Sequence, residues 1–132
     1  AYGQSKLANV LFAKGLDDRL KKEGRDDILS VSLHPGVIGT NLWRSSGPAF
    51  LQPLLTNVVG DRSIDQGAST SVFASLVEAS AFSGGEYLAD CGVAKPSERG
   101  NDANSNLREE LWKKTEEMIS DAGYALPVDI LY

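Results

Sequence analysis

The chain has 132 residues, of which 42 % are apolar and 23 % charged, the balance of a single soluble globular domain rather than of a disordered segment. A formal net charge of −5 argues against nucleic acid as a partner, because phosphate contacts need clustered Lys and Arg. One cysteine and one histidine exclude an internal disulfide and speak against a protein zinc site, and the apolar runs are too short for a membrane span or a secretory signal.

The sequence opens on Ala1 rather than Met, with Tyr2 already at a helix start. This reads as the cut edge of a longer protein, the alternative being a processed natural N-terminus. Leu7 and Leu11, with Ala8, Phe12, Leu16 and Leu20, recur at three- and four-residue steps and predict a helix from about Tyr2 to Lys22. Gly24 is its expected stop, with Lys21 and Lys22 complementing the helix dipole in the last turn. The run from Ile28 to His34 reads as a strand that Pro35-Gly36 ends abruptly. From Gly36 to about Gly60, glycine, proline and serine mix with bulky apolar residues, the composition of a long binding loop or lid.

A second helix is predicted from about Ser63 to Glu78, opened by a capping box of Ser63 and Gln66. Its small-residue face, Ala68, Val72, Ser75 and Leu76, is expected to pack on a sheet. Gly84-Gly85 should turn the chain into a second strand, Glu86 to Cys91, in which Cys91 is a small apolar strand residue. A polar surface connection from Ala94 to Ser105 then leads to a last helix, about Asn106 to Ile119. There Leu107, Leu111, Trp112 and Thr115 share a face, while Arg108 and its charged neighbours form a solvated one. The apolar tail from Gly123 to Tyr132 is expected to pack across the surface. Strands separated by a helix suggest a parallel pair with a right-handed crossover. Two such strands are too few to stand alone. The order helix-strand-loop-helix-strand-helix therefore describes the C-terminal part of a doubly wound parallel α/β sheet.

Two motifs carry candidate chemistry. Tyr2 and Lys6 lie four residues apart, one turn along the same helix face. A phenol beside an ammonium, which lowers its pKa, can pass a proton to a carbonyl oxygen or take one from an alcohol. Alone, this pair is also what an ordinary solvated helix face carries. Pro35-Gly36-Val37-Ile38-Gly39-Thr40 directly follows a strand, the end at which doubly wound sheets bind ligands. Its glycines allow close backbone approach to a flat ring, although an ordinary strand-ending turn has the same composition. His34 and Trp112 read as structural residues.

Tyr2-Gly3-Gln4-Ser5-Lys6-Leu7-Ala8-Asn9, followed by Leu33-His34-Pro35-Gly36-Val37-Ile38-Gly39-Thr40-Asn41-Leu42, resembles the C-terminal half of a short-chain dehydrogenase/reductase. The likeness is to the retinol dehydrogenase, WW-domain oxidoreductase and chloroplast-envelope reductase group. Gly67-Ala68, Gly85-Glu86-Tyr87-Leu88 and Leu111-Trp112 extend it. The resemblance implies that residues 1–132 are the C-terminal half of one Rossmann-type domain, the dinucleotide-binding half being absent. It implies an NAD(P)(H)-dependent oxidoreductase interconverting an alcohol and a ketone or aldehyde. Tyr2 would be the acid/base, and Lys6 would bind the nicotinamide ribose and lower the Tyr2 pKa. Pro35 and Gly36 would pack near the nicotinamide ring, Ile38 would hold its carboxamide through the backbone, and Thr40 would bind the carboxamide or pyrophosphate side.

Leu42, Trp43, Phe50, Leu51, Leu54 and Leu55 would line the substrate loop and suit an apolar substrate, or else form the underside of a lid packed on the core. The cofactor would be NAD or NADP, with the family leaning to NADP. The first helix is where many relatives form homodimers, though its face here can serve the missing core instead. An intracellular setting is implied: cytoplasmic, organellar or membrane-associated through an absent segment. The family's glycine-rich loop and catalytic serine lie upstream of the tyrosine and have no counterpart in these residues, so the segment alone is expected to be inactive. A non-catalytic scaffold that keeps the fold is the alternative.

Overall fold

The computed structural model describes residues 2–36, 38 and 62–124. In chain order these form α1 (Tyr2–Lys22), β1 (Ser32–His34), α2 (Ile64–Leu76), a 3-10 turn (Ala79–Ala81), β2 (Tyr87–Ala89), β3 (Gly92–Ala94), α3 (Glu98–Asn101) and α4 (Asn106–Asp121). The strands make one sheet in the order β1-β2-β3. Just ahead of the first two strands, Gly85 N–H donates to the Ser30 carbonyl (2.7 Å) and Ser32 N–H to the Glu86 carbonyl (2.9 Å). Both segments therefore advance in the same direction, the parallel pairing expected of an α/β crossover. No helix among the described residues is long and apolar enough to cross a membrane.

The chain divides into two compact units. The first comprises the described residues within Ala1–Ser32, Glu78–Tyr87 and Val93–Tyr132, and is organised by α1 lying against α4. Leu11 and Ala13 are buried, as is Gly15, where a Cβ would sit in ordinary van der Waals contact, 3.5 Å from Trp112 and 3.8 Å from Arg108. Phe12, half exposed, stacks on Trp112 with ring centroids 5.6 Å apart, and the Arg19 guanidinium lies 4.0 Å from the same indole. Gly24 ends α1 as the sequence predicts. At φ +69 it donates to the Lys21 carbonyl while Arg25 N–H reaches the Leu20 carbonyl, the paired bonds of a Schellman closure.

Asp17 lies on the buried side of α1. Its carboxylate pairs with Lys21 (2.7 Å) and accepts from Ser30 N–H (3.4 Å), while Lys21 also donates to the Ser83 carbonyl (2.5 Å). The Gly84-Gly85 turn presses against that carboxylate, so Asp17 fixes where β2 begins.

The solvated face predicted for α4 needs correction. Arg108 is largely buried, donating to Asp18 (2.6 Å) and to the Asp102 carbonyl (3.0 Å). Asp102, buried at the end of α3, accepts from the backbone N–H of Leu107 and Arg108, both at 3.0 Å. It thereby caps α4 in place of Ser105, whose side chain makes no cap. Thr115 is exposed rather than part of the packed face.

The second unit comprises the described residues within Leu33–Val77 and Leu88–Gly92. Its helix α2 opens with the predicted box: Ser63 Oγ accepts from Gln66 N–H (3.2 Å) and Gln66 Oε1 from Ser63 N–H (2.8 Å). The buried face differs from the expected one. Gly67 and Thr70 face inward, Gly67 against the Ile38 side chain, whereas Val72 and Leu76 are exposed.

The predicted second strand is likewise shorter than expected. Leu88 is fully buried, but Asp90 and Cys91 adopt φ of +54° and +58° and reverse the chain into β3. Two positive φ values in a two-residue loop are the hairpin geometry whose twist matches the flanking strands. Cys91 is thus an exposed turn residue, its N–H held by Thr70 Oγ1 (3.3 Å), and not a strand residue. The connection predicted after Ala94 contains the short helix α3. The long loop and the tail beyond Tyr124 lie outside the described residues.

Candidate functional site

Tyr2 and Lys6 occupy the first turns of α1, and the helix delivers both side chains to one face as the spacing predicts. The Lys6 ammonium lies 5.3 Å from the centroid of the Tyr2 ring, within cation–π range. Tyr2 is 67 % exposed and Lys6 is exposed as well. Ser5 Oγ donates to the Tyr2 carbonyl at 2.8 Å, fastening the first turn. Among the described residues Lys6 makes no hydrogen bond, so its N–H donors stay available. A phenol able to donate or accept a proton and an ammonium able to donate to hydroxyls are therefore presented side by side.

Pro35, Gly36 and Ile38 follow β1 in the second unit. Gly36 has φ +83, a conformation that L side chains resist. His34 Nδ1 accepts the Gly36 N–H at 2.9 Å, so the histidine closes the turn it precedes, in keeping with a structural role. Ile38 forms a parallel bridge with Arg62. The Arg62 guanidinium pairs with Asp90 at 2.6 Å, and that hydrogen bond, reinforced by the arginine's charge, holds the Asp90 carboxyl below the usual carboxylate range.

Thr40, Leu42, Trp43, Phe50, Leu51, Leu54 and Leu55 lie outside the described residues. The structure thus brings Tyr2 and Lys6 together in one unit, and gathers Gly36, Ile38 and Arg62 in the other. Sequence reasoning missed Arg62 and Asp90. A cation just ahead of a helix cap and an acid at an unrecognised turn carry no periodic signal.

No family model matches the chain, and no solved structure matches it. Curated proteins do. A protein named short-chain dehydrogenase TIC 32 A, chloroplastic, from Brassica napus is 38 % identical over 112 residues, covering 85 % of this chain and 34 % of that protein. Mouse (Mus musculus) retinol dehydrogenase 12 is 35 % identical over 121 residues, 90 % of this chain and 36 % of that enzyme. The short chain dehydrogenase/reductase dpmpH of Macrophomina phaseolina is 36 % identical over 128 residues, 92 % of this chain and 60 % of the relative. Over most of its length the chain is thus similar to short-chain dehydrogenases/reductases. It spans about a third of the length of the first two of these relatives.

A short-chain dehydrogenase/reductase works with a nicotinamide dinucleotide, and the donor set described above suits one. The Lys6 ammonium, without a hydrogen-bond partner among the described residues, has the donors that ribose hydroxyls would require. Gly36 has no side chain, and the space one would take is filled by the Arg62 side chain.

Proposed function

We propose that the protein is an NAD(P)(H)-dependent oxidoreductase that interconverts an alcohol and a ketone or aldehyde, with an apolar substrate. The observation that carries this reading is the pairing of an exposed Tyr2 phenol with the Lys6 ammonium on one face of α1, in a chain similar to this family. When bound, the nicotinamide supplies or accepts the hydride at the carbonyl carbon. Tyr2 gives its phenolic proton to the carbonyl oxygen during reduction and takes the hydroxyl proton during oxidation. Lys6 holds the ribose hydroxyls through its ammonium. Pro35, Gly36, the Ile38 backbone and Thr40 border the nicotinamide and its carboxamide. Leu42, Trp43, Phe50, Leu51 and Leu54 belong to the loop that receives the substrate and makes it apolar. The sequence holds no G-x-G-x-x-G run of the kind that seats a pyrophosphate, and in this reading the 132 residues on their own are inactive.

The test is Tyr2→Phe in the full-length protein, assayed with NADH and NADPH against aliphatic aldehydes and ketones. Turnover falls by about a hundredfold or more, the scale of a lost general acid, while the cofactor dissociation constant is unchanged. Near-normal turnover in the phenylalanine variant overturns the assignment.

A further inference from the structure

The Pro35–Gly36 turn is gripped from outside by a side chain that none of the roles above employs. A Cβ on Gly36 would lie 2.7 Å from Arg62 Nη1, 2.8 Å from Cδ and 2.9 Å from Cζ, so the arginine is laid flat against the glycine α-carbon. The backbone of Arg62 bridges Ile38, two residues further along. The far end of the arginine is anchored on Asp90 Oδ1 at 2.6 Å, and Asp90 stands immediately after β2 in the hairpin turn. From within, His34 Nδ1 takes the Gly36 N–H. The shape of the turn after β1 therefore depends on an ion pair that reaches to the end of β2.

We infer that Arg62 and Asp90 form a positioning pair that holds the Pro35–Gly36 turn in the shape needed to receive the nicotinamide end of the cofactor. The inference rests on the proposed role of that turn. Arg62 is 37 % exposed on its side chain, and without its carboxylate the guanidinium gains water and rotamer freedom and leaves Gly36. The lowered Asp90 carboxyl keeps the pair charged well below neutral pH. Arg62 acts here through the turn and touches no reacting atom.

The experiment uses the full-length protein with Arg62→Met, Arg62→Lys, Asp90→Asn and the double variant. Two quantities are read: the NADH and NADPH dissociation constants from fluorescence without substrate, and amide hydrogen exchange of the peptide containing residues 34–38 without cofactor. Arg62→Met and Asp90→Asn each weaken cofactor binding about tenfold, in line with one lost charge-assisted hydrogen bond, and both speed exchange at the turn. Arg62→Lys recovers most of the affinity, and the double variant is no worse than either single one. Unchanged binding and exchange in either single variant overturn the inference. So does weakening by Arg62→Met alone, because a direct contact between the arginine and the cofactor phosphates would not need Asp90. A wild-type protein that binds neither dinucleotide overturns the underlying cofactor reading and the inference with it. Normal wild-type binding combined with silent variants overturns the positioning role only.

Discussion

Gly84→Ala subjects the packing of the first unit to a quantitative test. Gly84 sits at φ +80, and placing an L residue in that left-handed region costs about 1–2 kcal/mol. The new methyl group would also overlap the Asp17 carboxylate, lying 2.6 Å from Cγ and 2.7 Å from Oδ2 and running into Oδ1. Asp17 has little room to yield, since its side chain is 3 % exposed and is tied to Lys21 and to Ser30 N–H. Overpacking of this kind adds about 1–3 kcal/mol, so the substitution should destabilise by about 2–5 kcal/mol in total. Asp17→Ala alone should cost about 1–3 kcal/mol through the lost pair and hydrogen bond. In the double variant the overlap disappears, leaving the backbone strain and the lost pair, a favourable coupling of about 1–3 kcal/mol. Urea unfolding of the full-length protein, followed by far-UV circular dichroism, measures all three. A loss below about 1 kcal/mol for Gly84→Ala, or effects that add to within about 0.5 kcal/mol, refutes the reasoning.

Two further outcomes follow from α1 and α4. Asp102→Ala should destabilise by about 2–3 kcal/mol, because it uncaps α4 and deprives the largely buried Arg108 of a neighbour. Asp102→Asn should cost clearly less in the same urea titration, since it keeps an acceptor and tolerates the left-handed conformation at this position. Gly15→Ala should raise stability by up to about 1 kcal/mol, because the added methyl would meet Trp112 at an ordinary 3.5 Å; a fall in the thermal midpoint would show that the α1–α4 contact cannot accept it.

Much of the fold was legible because its signals are local. The stripe in α1, its Gly24 closure and the Ser63/Gln66 box each involve residues within a few positions of one another, and the elements begin and end accordingly. The β2–β3 reversal was hidden because Asp90-Cys91 lacks the glycine or asparagine that usually marks two positive φ values. Arg108 read as a surface charge and Asp102 as part of a polar surface connection, since burial of an ion pair depends on partners remote in sequence, such as Asp18 for Arg108; for the same reason nothing local singled out Asp17. The apolar face of α2 was misread for a related reason. What faces inward is Gly67, chosen by the closeness of Ile38, and not the larger Val72 and Leu76. At the candidate site, Tyr2 and Lys6 could be paired from their helical spacing alone, whereas the Arg62–Asp90 contact joins the two separate segments of the second unit.

The hairpin at Asp90-Cys91 has a bearing on how this protein could be redesigned. An asparagine-glycine loop would relax the backbone there, and a consensus-minded engineer would choose it. Yet it would erase the Asp90 carboxylate that tethers Arg62, trading a calmer reversal for a wandering guanidinium. Local discomfort in the chain is thus matched to reach across the strand ends, and improving either in isolation degrades the other.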